Sequence, residues 1–222
     1  NTMPNILYNL IIGGALTAVF VPQIVRATKE EDGGSQFISR LVTATSVFLG
    51  ILVLLATLFA PLLVRLFATS YVGHPAFHVT TLFMRFCLPQ IFFMGVFALL
   101  SQVANAKDRF GPMMWAPVLN NLIAIVVFGW YYSKQLSHTV ENIPTSEIAA
   151  LGIGTTLGYV VQAAVLIPVI RKTKIRIRPN FDWKDPELEK SIHLAKWTFV
   201  FAAISQLSYL ITVNLSTSAA VK

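Results

Sequence analysis

The sequence predicts an all-α, polytopic bundle of transmembrane helices, and three observations carry that reading. Of 222 residues, 55% are hydrophobic and 12% are charged, whereas a soluble domain carries roughly 25% charged residues. Apolar runs of around twenty residues recur along the whole chain, and such a run crosses about 30 Å of hydrocarbon as a helix. All ten acidic residues fall between the runs. This is not a signal peptide ahead of a soluble domain. The first residues already belong to an apolar run, with no initiator Met and no basic leader, so the chain reads as starting mid-protein.

Six spans are expected, at about 3–25, 41–64, 80–104, 112–132, 148–170 and 197–217. The first is bracketed by Pro4 and Pro22. Asn5, Asn9 and Gly13 share one stripe at i, i+4 and i+8, with Thr17 a turn further on. Gly13 and Gly14 permit close approach or bending at mid-span. The stripe suits either ordinary helix packing through interhelical hydrogen bonds or the wall of a polar cavity. The polar stretch RATKEEDGGSQ leads to the second span, and YVGHPAFH leads on to the third. The third holds Arg85 and Pro89 inside an apolar run, and NAKDRFG joins it to the fourth. Pro112 and Pro117 lie in the fourth, where proline removes a backbone donor and shapes the helix. SKQLSHTVENIPTSE precedes the fifth. The sixth carries Ser205, Gln206, Ser208, Thr212 and Asn214. Gln206 is costly in lipid, so it is expected to face protein or water.

Between the fifth and sixth spans lies a long basic segment, 171–196. Lys174 to Arg178 alternates basic and apolar residues, which suits an extended piece on a headgroup surface. Asp185-Pro186 then reads as an N-cap and first helical position. Leu188, Ile192 and Ala195 give the following helix one apolar face, so it reads as an interfacial helix or as a plain linker.

Thirteen of the seventeen basic residues fall in the segments 26–40, 105–112 and 171–196. That asymmetry places these loops in the cytoplasm. The formal charge of +7 is therefore topology and no argument for nucleic acid. One cysteine, Cys87, excludes an internal disulfide and a cysteine-built metal site. The four histidines have no ligand spacing. No carboxylate enters a span, so neither an acid/base pair nor an embedded site of the kind ion coupling uses can be assembled from these residues.

Arg85 is the one basic residue well inside a run. Counted from a helix start near residue 80 it is about 7–8 Å deep. At that depth it can snorkel to headgroups or face a watery cavity and meet an anion.

The ordered residues resemble one family. Asn1-Thr-Met-Pro4-Asn5, Gly14-Ala15-Leu16 and Phe20-Val21-Pro22 resemble the second helix of the MurJ (MviN) lipid II flippases. Arg85-x-x-x-Pro89 resembles their fourth helix. Asn105 to Pro112, with Ala116-Pro117 and Asn120, resembles the connection into the fifth, and Ser205-Gln206 the start of the seventh. The resemblance implies the multidrug/oligosaccharidyl-lipid/polysaccharide exporter fold, with two lobes around a central cavity. Residues 1–196 would form the N-terminal lobe from its second helix onward, and 197–222 the first helix of the second lobe. It implies a multi-pass protein of the bacterial plasma membrane that carries lipid II from the inner to the outer leaflet. No cofactor and no covalent chemistry are implied; membrane lipids and cell-wall synthesis proteins would be the partners. Arg85 becomes a cavity or gate residue, with Asn5, Asn9, Ser205, Gln206 and Asn214 as weaker cavity candidates. Gly13, Gly14, Pro22, Pro89, Pro112 and Pro117 become structural or hinge positions. The family's basic residues are replaced here by Tyr8 and Asn9, and its acid by Gly13, so the second helix carries less charge. An exporter of another polyprenyl-linked oligosaccharide or of drugs, or a non-transporting scaffold of cell-wall assembly, is the alternative.

Overall fold

The computed structural model describes residues 21–27, 33–67, 73, 76–133, 143–173 and 175–182, with the single positions 193, 197, 200 and 204. The described residues form helices α1 (Val21–Ala27), α2 (Ser35–Leu58), α3 (Ala60–Phe67), α4 (Ala76–Cys87), α5 (Gln90–Asn105), α6 (Phe110–Ser133), α7 (Thr145–Ala164) and α8 (Leu166–Lys172). Four rods among them are long and apolar enough to cross a membrane: α2, the α4–α5 pair, α6 and the α7–α8 pair. They match the second to fifth expected spans. The first lies outside the described residues except for α1, and the sixth lies outside them except for isolated positions.

Local chemistry sets the ends of each rod. Gly33 and Gly34 have φ of 66° and 81°, a left-handed turn that glycine adopts without a Cβ penalty. The Ile38 N–H then donates to the Gly34 carbonyl at 2.9 Å and the helix begins, six residues before the expected span. The rod breaks at Phe59 because Pro61 cannot continue the ladder of backbone donors. Between α5 and α6 the chain turns within four residues. The Arg109 N–H donates to the Ala104 carbonyl at 2.9 Å and the Asp108 N–H to the Asn105 carbonyl at 3.0 Å. Asp108 sits in the left-handed region at φ 56°. This pair of bonds is the Schellman closure of a helix end. Pro112 follows in the first turn of α6, where a missing N–H costs nothing.

The α4–α5 and α7–α8 rods run side by side in the same direction, and α2 and α6 run against them. Phe86 packs against Gly152 and Asn120 against Gly158, while Val127 packs against Gly154. α5 lies at the centre, with no exposed residue along its length. It packs on α2, α7 and α8. The core is apolar, built from Ile24, Ile38, Leu41, Leu88, Ile91, Leu99, Val103, Leu166 and Ile170 among others.

Residues 175–182 form a non-helical strap in which the alternation of 175–178 appears as alternating burial. Ile175 is buried and Ile177 packs against the core, while Arg176 and Arg178 are exposed. The strap docks on the start of α2. Ser39 Oγ donates to the Arg176 carbonyl at 3.1 Å, and the Arg178 N–H donates back to Ser39 Oγ at 3.2 Å. The Asn180 N–H donates to Thr43 Oγ1 at 3.1 Å, and Arg40 pairs with Asp182 at 3.0 Å. The match is geometric: one helical turn rises about 6 Å between i and i+4, close to the rise of about 6.6 Å across two extended residues. The expected interfacial helix begins beyond Asp182, outside the described stretch.

Candidate functional site

The joint between α4 and α5 organises the middle of the bundle. Pro89 has no N–H to offer the Arg85 carbonyl, so the helical ladder fails there. The gap is closed by tight turns: the Ile91 N–H reaches the Leu88 carbonyl at 3.0 Å and the Phe92 N–H reaches the Pro89 carbonyl at 3.1 Å. α7 grips the joint from one side. Thr156 Oγ1 donates to the Phe86 carbonyl at 2.9 Å, and Cys87 Sγ lies 3.7 Å from Thr155 Oγ1. Gly152 meets Phe86 so closely that a Cβ there has no room.

Arg85 points away from that grip. Thr81, Met84, Cys87 and Leu88 are buried, whereas His78 and Arg85, two turns apart, are exposed. No hydrogen bond or ion pair joins the Arg85 side chain to another described residue. Because α4 begins at Ala76, Arg85 lies nine residues into its rod, about 14 Å along it. That is nearly double the depth expected from the sequence.

A second polar side chain stands exposed at depth. Asn121 occupies the centre of α6. Among the described residues, Arg85 and Asn121 are the only exposed polar side chains more than two turns from a rod end. Their exposed neighbours on α6, Val118, Leu122 and Ile125, are apolar. A bare amide in hydrocarbon costs several kcal/mol, of order 2–7, so this position demands water or protein.

Asn121 also belongs to a belt. Gly158 fixes the height of Asn120 and hence of Asn121, and Gly152 fixes the height of Phe86. Cys87 touches Thr155, so Gln90, three residues past Cys87, falls level with Gly158, three past Thr155, and Gln162 lies one turn further along α7. Three helices thus carry amides within about 6 Å of one height, at 1.5 Å per residue. Gln90 is 0% exposed and Gln162 is 7% exposed. Gln90 Nε2 and Oε1 and Gln162 Oε1 have no hydrogen-bond partner.

Of the sequence candidates, Pro89 is the joint itself, Pro112 opens α6, and Pro117 lies within α6 without ending it. Pro22 is exposed on α1. Asn5, Asn9, Gly13, Gly14, Ser205, Gln206 and Asn214 lie outside the described residues, so the cavity they were expected to line is not drawn by their positions. No ion pair joins Arg109 to Asp108, and backbone bonds close the turn they occupy. Gln90, Asn121 and Gln162 were not singled out in the sequence. Their signal was present, since each is an amide well inside an apolar run.

The basic segments meet at one end of the bundle. Lys107 Nζ lies close to Gly33, and the strap carrying Arg176 and Arg178 lies on Ser39 and Thr43. Arg171 and Lys172 end α8 at the same place. Among the described residues, no cluster of three metal-ligating side chains exists.

The family model described as "Lipid II flippase MurJ" matches residues 1–222. Several curated relatives carry the name "Probable lipid II flippase MurJ", those of Vibrio cholerae, Haemophilus influenzae and Rickettsia prowazekii among them. That of Vibrio cholerae is 28% identical over 222 residues, covering 95% of this chain and 40% of the relative. That of Haemophilus influenzae is 25% identical, covering 95% of this chain and 42% of the relative. That of Rickettsia prowazekii is 21% identical, covering 96% and 41%. The chain thus spans about two fifths of the length of the relatives it matches.

Proposed function

From the premise that this chain belongs to the MurJ lipid II flippase family, we propose that it forms part of a transporter carrying lipid II from the inner to the outer leaflet of the plasma membrane. The observation that carries this reading is the family match along the whole chain. Two features of the bundle support it: four membrane-length rods, and a cation and an amide left exposed at depth where lipid tolerates neither.

Lipid II sets a physical problem that such a bundle can meet. Its sugar-peptide head and pyrophosphate cannot cross hydrocarbon unaided, because a charge without a partner costs many kcal/mol there. Arg85 supplies a permanent cation on the exposed side of α4, free to meet a phosphate oxygen. Asn121 supplies an uncharged donor and acceptor at the middle of α6, suited to a sugar hydroxyl or a peptide amide. The polyprenyl tail stays in the bilayer while the lobe rocks against its partner lobe and opens the cavity to each side in turn. Nothing covalent is made or broken. The positive-inside rule assigns the shared basic end to the cytoplasm.

The test is the full-length protein with Arg85→Ala, assayed for outward delivery of lipid II beside the amount of folded protein. Delivery falls sharply at unchanged folded amount, and Arg85→Lys retains part of it. Wild-type delivery by the alanine variant would return Arg85 to a snorkelling role.

A further inference from the structure

We propose that the seam between α5 and α7 holds a site for ordered water at the middle of the bundle, built by the side chains of Gln90 and Gln162. The inference stands on the packing of the lobe and is independent of what the protein transports.

Register brings the two amides together. Phe86 rests on Gly152 and accepts the Thr156 hydroxyl, and Cys87 touches Thr155. Counted from the Cys87–Thr155 contact, Gln90 is one turn beyond Cys87 on its rod, and Gln162 is two turns beyond Thr155 on its own. Because the rods run parallel, both amides look into one seam, about one turn apart along it. Both are more than nine-tenths buried. Neither polar atom of Gln90 and not the oxygen of Gln162 meets a hydrogen-bond partner.

The chemistry of the orphans selects the ligand. An unpaired amide group away from water costs about 1–3 kcal/mol, and three such atoms share this seam. A cation would satisfy the two oxygens and leave Gln90 Nε2 unmet. An anion would satisfy Nε2 and leave both oxygens unmet. Water both donates and accepts, and buried water of this kind typically makes about three hydrogen bonds. The break at Pro89 adds another acceptor nearby, since the Arg85 carbonyl has lost its helical donor.

The experiment uses the full-length protein in lipid nanodiscs, exposed to a brief X-ray pulse that makes hydroxyl radicals from water in place. Cys87 and Met94, three residues before and four after Gln90, report on the seam; the exposed Met114 reports on the surface. Wild-type Cys87 and Met94 label despite their enclosure. In the Gln90→Leu/Gln162→Leu double variant their labelling drops several-fold while Met114 is unchanged. Equal labelling in both proteins, or none in the wild type, overturns the proposal. Should the double variant not fold, a high-resolution density map of the wild type decides. A peak within about 3 Å of both amides supports the site, and a protein or lipid atom filling the seam overturns it.

Discussion

Helices α5 and α6 are both strongly apolar, yet one is enclosed along its whole length and the other is open to its surroundings. α5 has no exposed residue, whereas Ala116 is the only buried residue of α6. The difference lies in side-chain size. α5 carries Gly95, Ala98, Ser101 and Ala104 through its middle and end, which lets neighbouring rods approach from several sides. α6 carries Trp115, Phe128, Trp130, Tyr131 and Tyr132, and it seats on α7 by one stripe against Gly154 and Gly158. Its aromatics gather toward both ends, with Phe110 and Trp115 at one and Phe128 to Tyr132 at the other. That is the pattern of interfacial belts. Hydropathy therefore says that a helix enters lipid, while small residues and amides say which side of it meets protein.

Leu99→Ala on the enclosed helix strikes the comparison hardest. Leu99 is 2% exposed, and the cavity left behind should cost about 2–5 kcal/mol, read as a drop in melting temperature of the full-length protein. Gly158→Leu comes next. Its side chain would meet Asn120, and overpacking of this kind costs about 1–3 kcal/mol. A variant that melts like the wild type would mean that α6 is not seated as described. Thr156→Val removes one hydroxyl from the α4–α5 joint and should cost about 1 kcal/mol, with faster amide exchange confined to residues near Pro89. Leu122→Ala on the open face of α6, where Leu122 is 52% exposed, should change stability by under about 0.5 kcal/mol. If it instead matches Leu99→Ala, that face is covered by protein.

Much of this fold is legible in the sequence, because length and hydropathy alone define a membrane rod. The second to fifth spans are where the apolar runs place them. Their ends are less legible, since Gly33-Gly34 and the Asp108 turn are set by backbone conformation and not by apolar content. The Gly154-x-x-x-Gly158 pair spells out the α6–α7 contact in a recognised small-residue spacing. The strap shows a further limit. Alternation in 174–178 marks an extended segment but does not say whether protein or headgroups take its apolar side; Ser39 and Thr43, more than a hundred residues away, decide that. At the site, a lone arginine in an apolar run was conspicuous. Asn121 gained meaning only when its exposure and central height were known, and Gln90 and Gln162 only when their burial was.

The central claim is that Arg85 and Asn121 face water at membrane depth. Single cysteines at 85 and 121, placed in the full-length protein with Cys87→Ala, can be challenged with a charged thiol reagent that does not enter lipid. The account predicts rapid modification at both positions and none at a cysteine replacing Val126 on the open apolar face of α6. Reaction at 85 and 121 as slow as at 126 would contradict it.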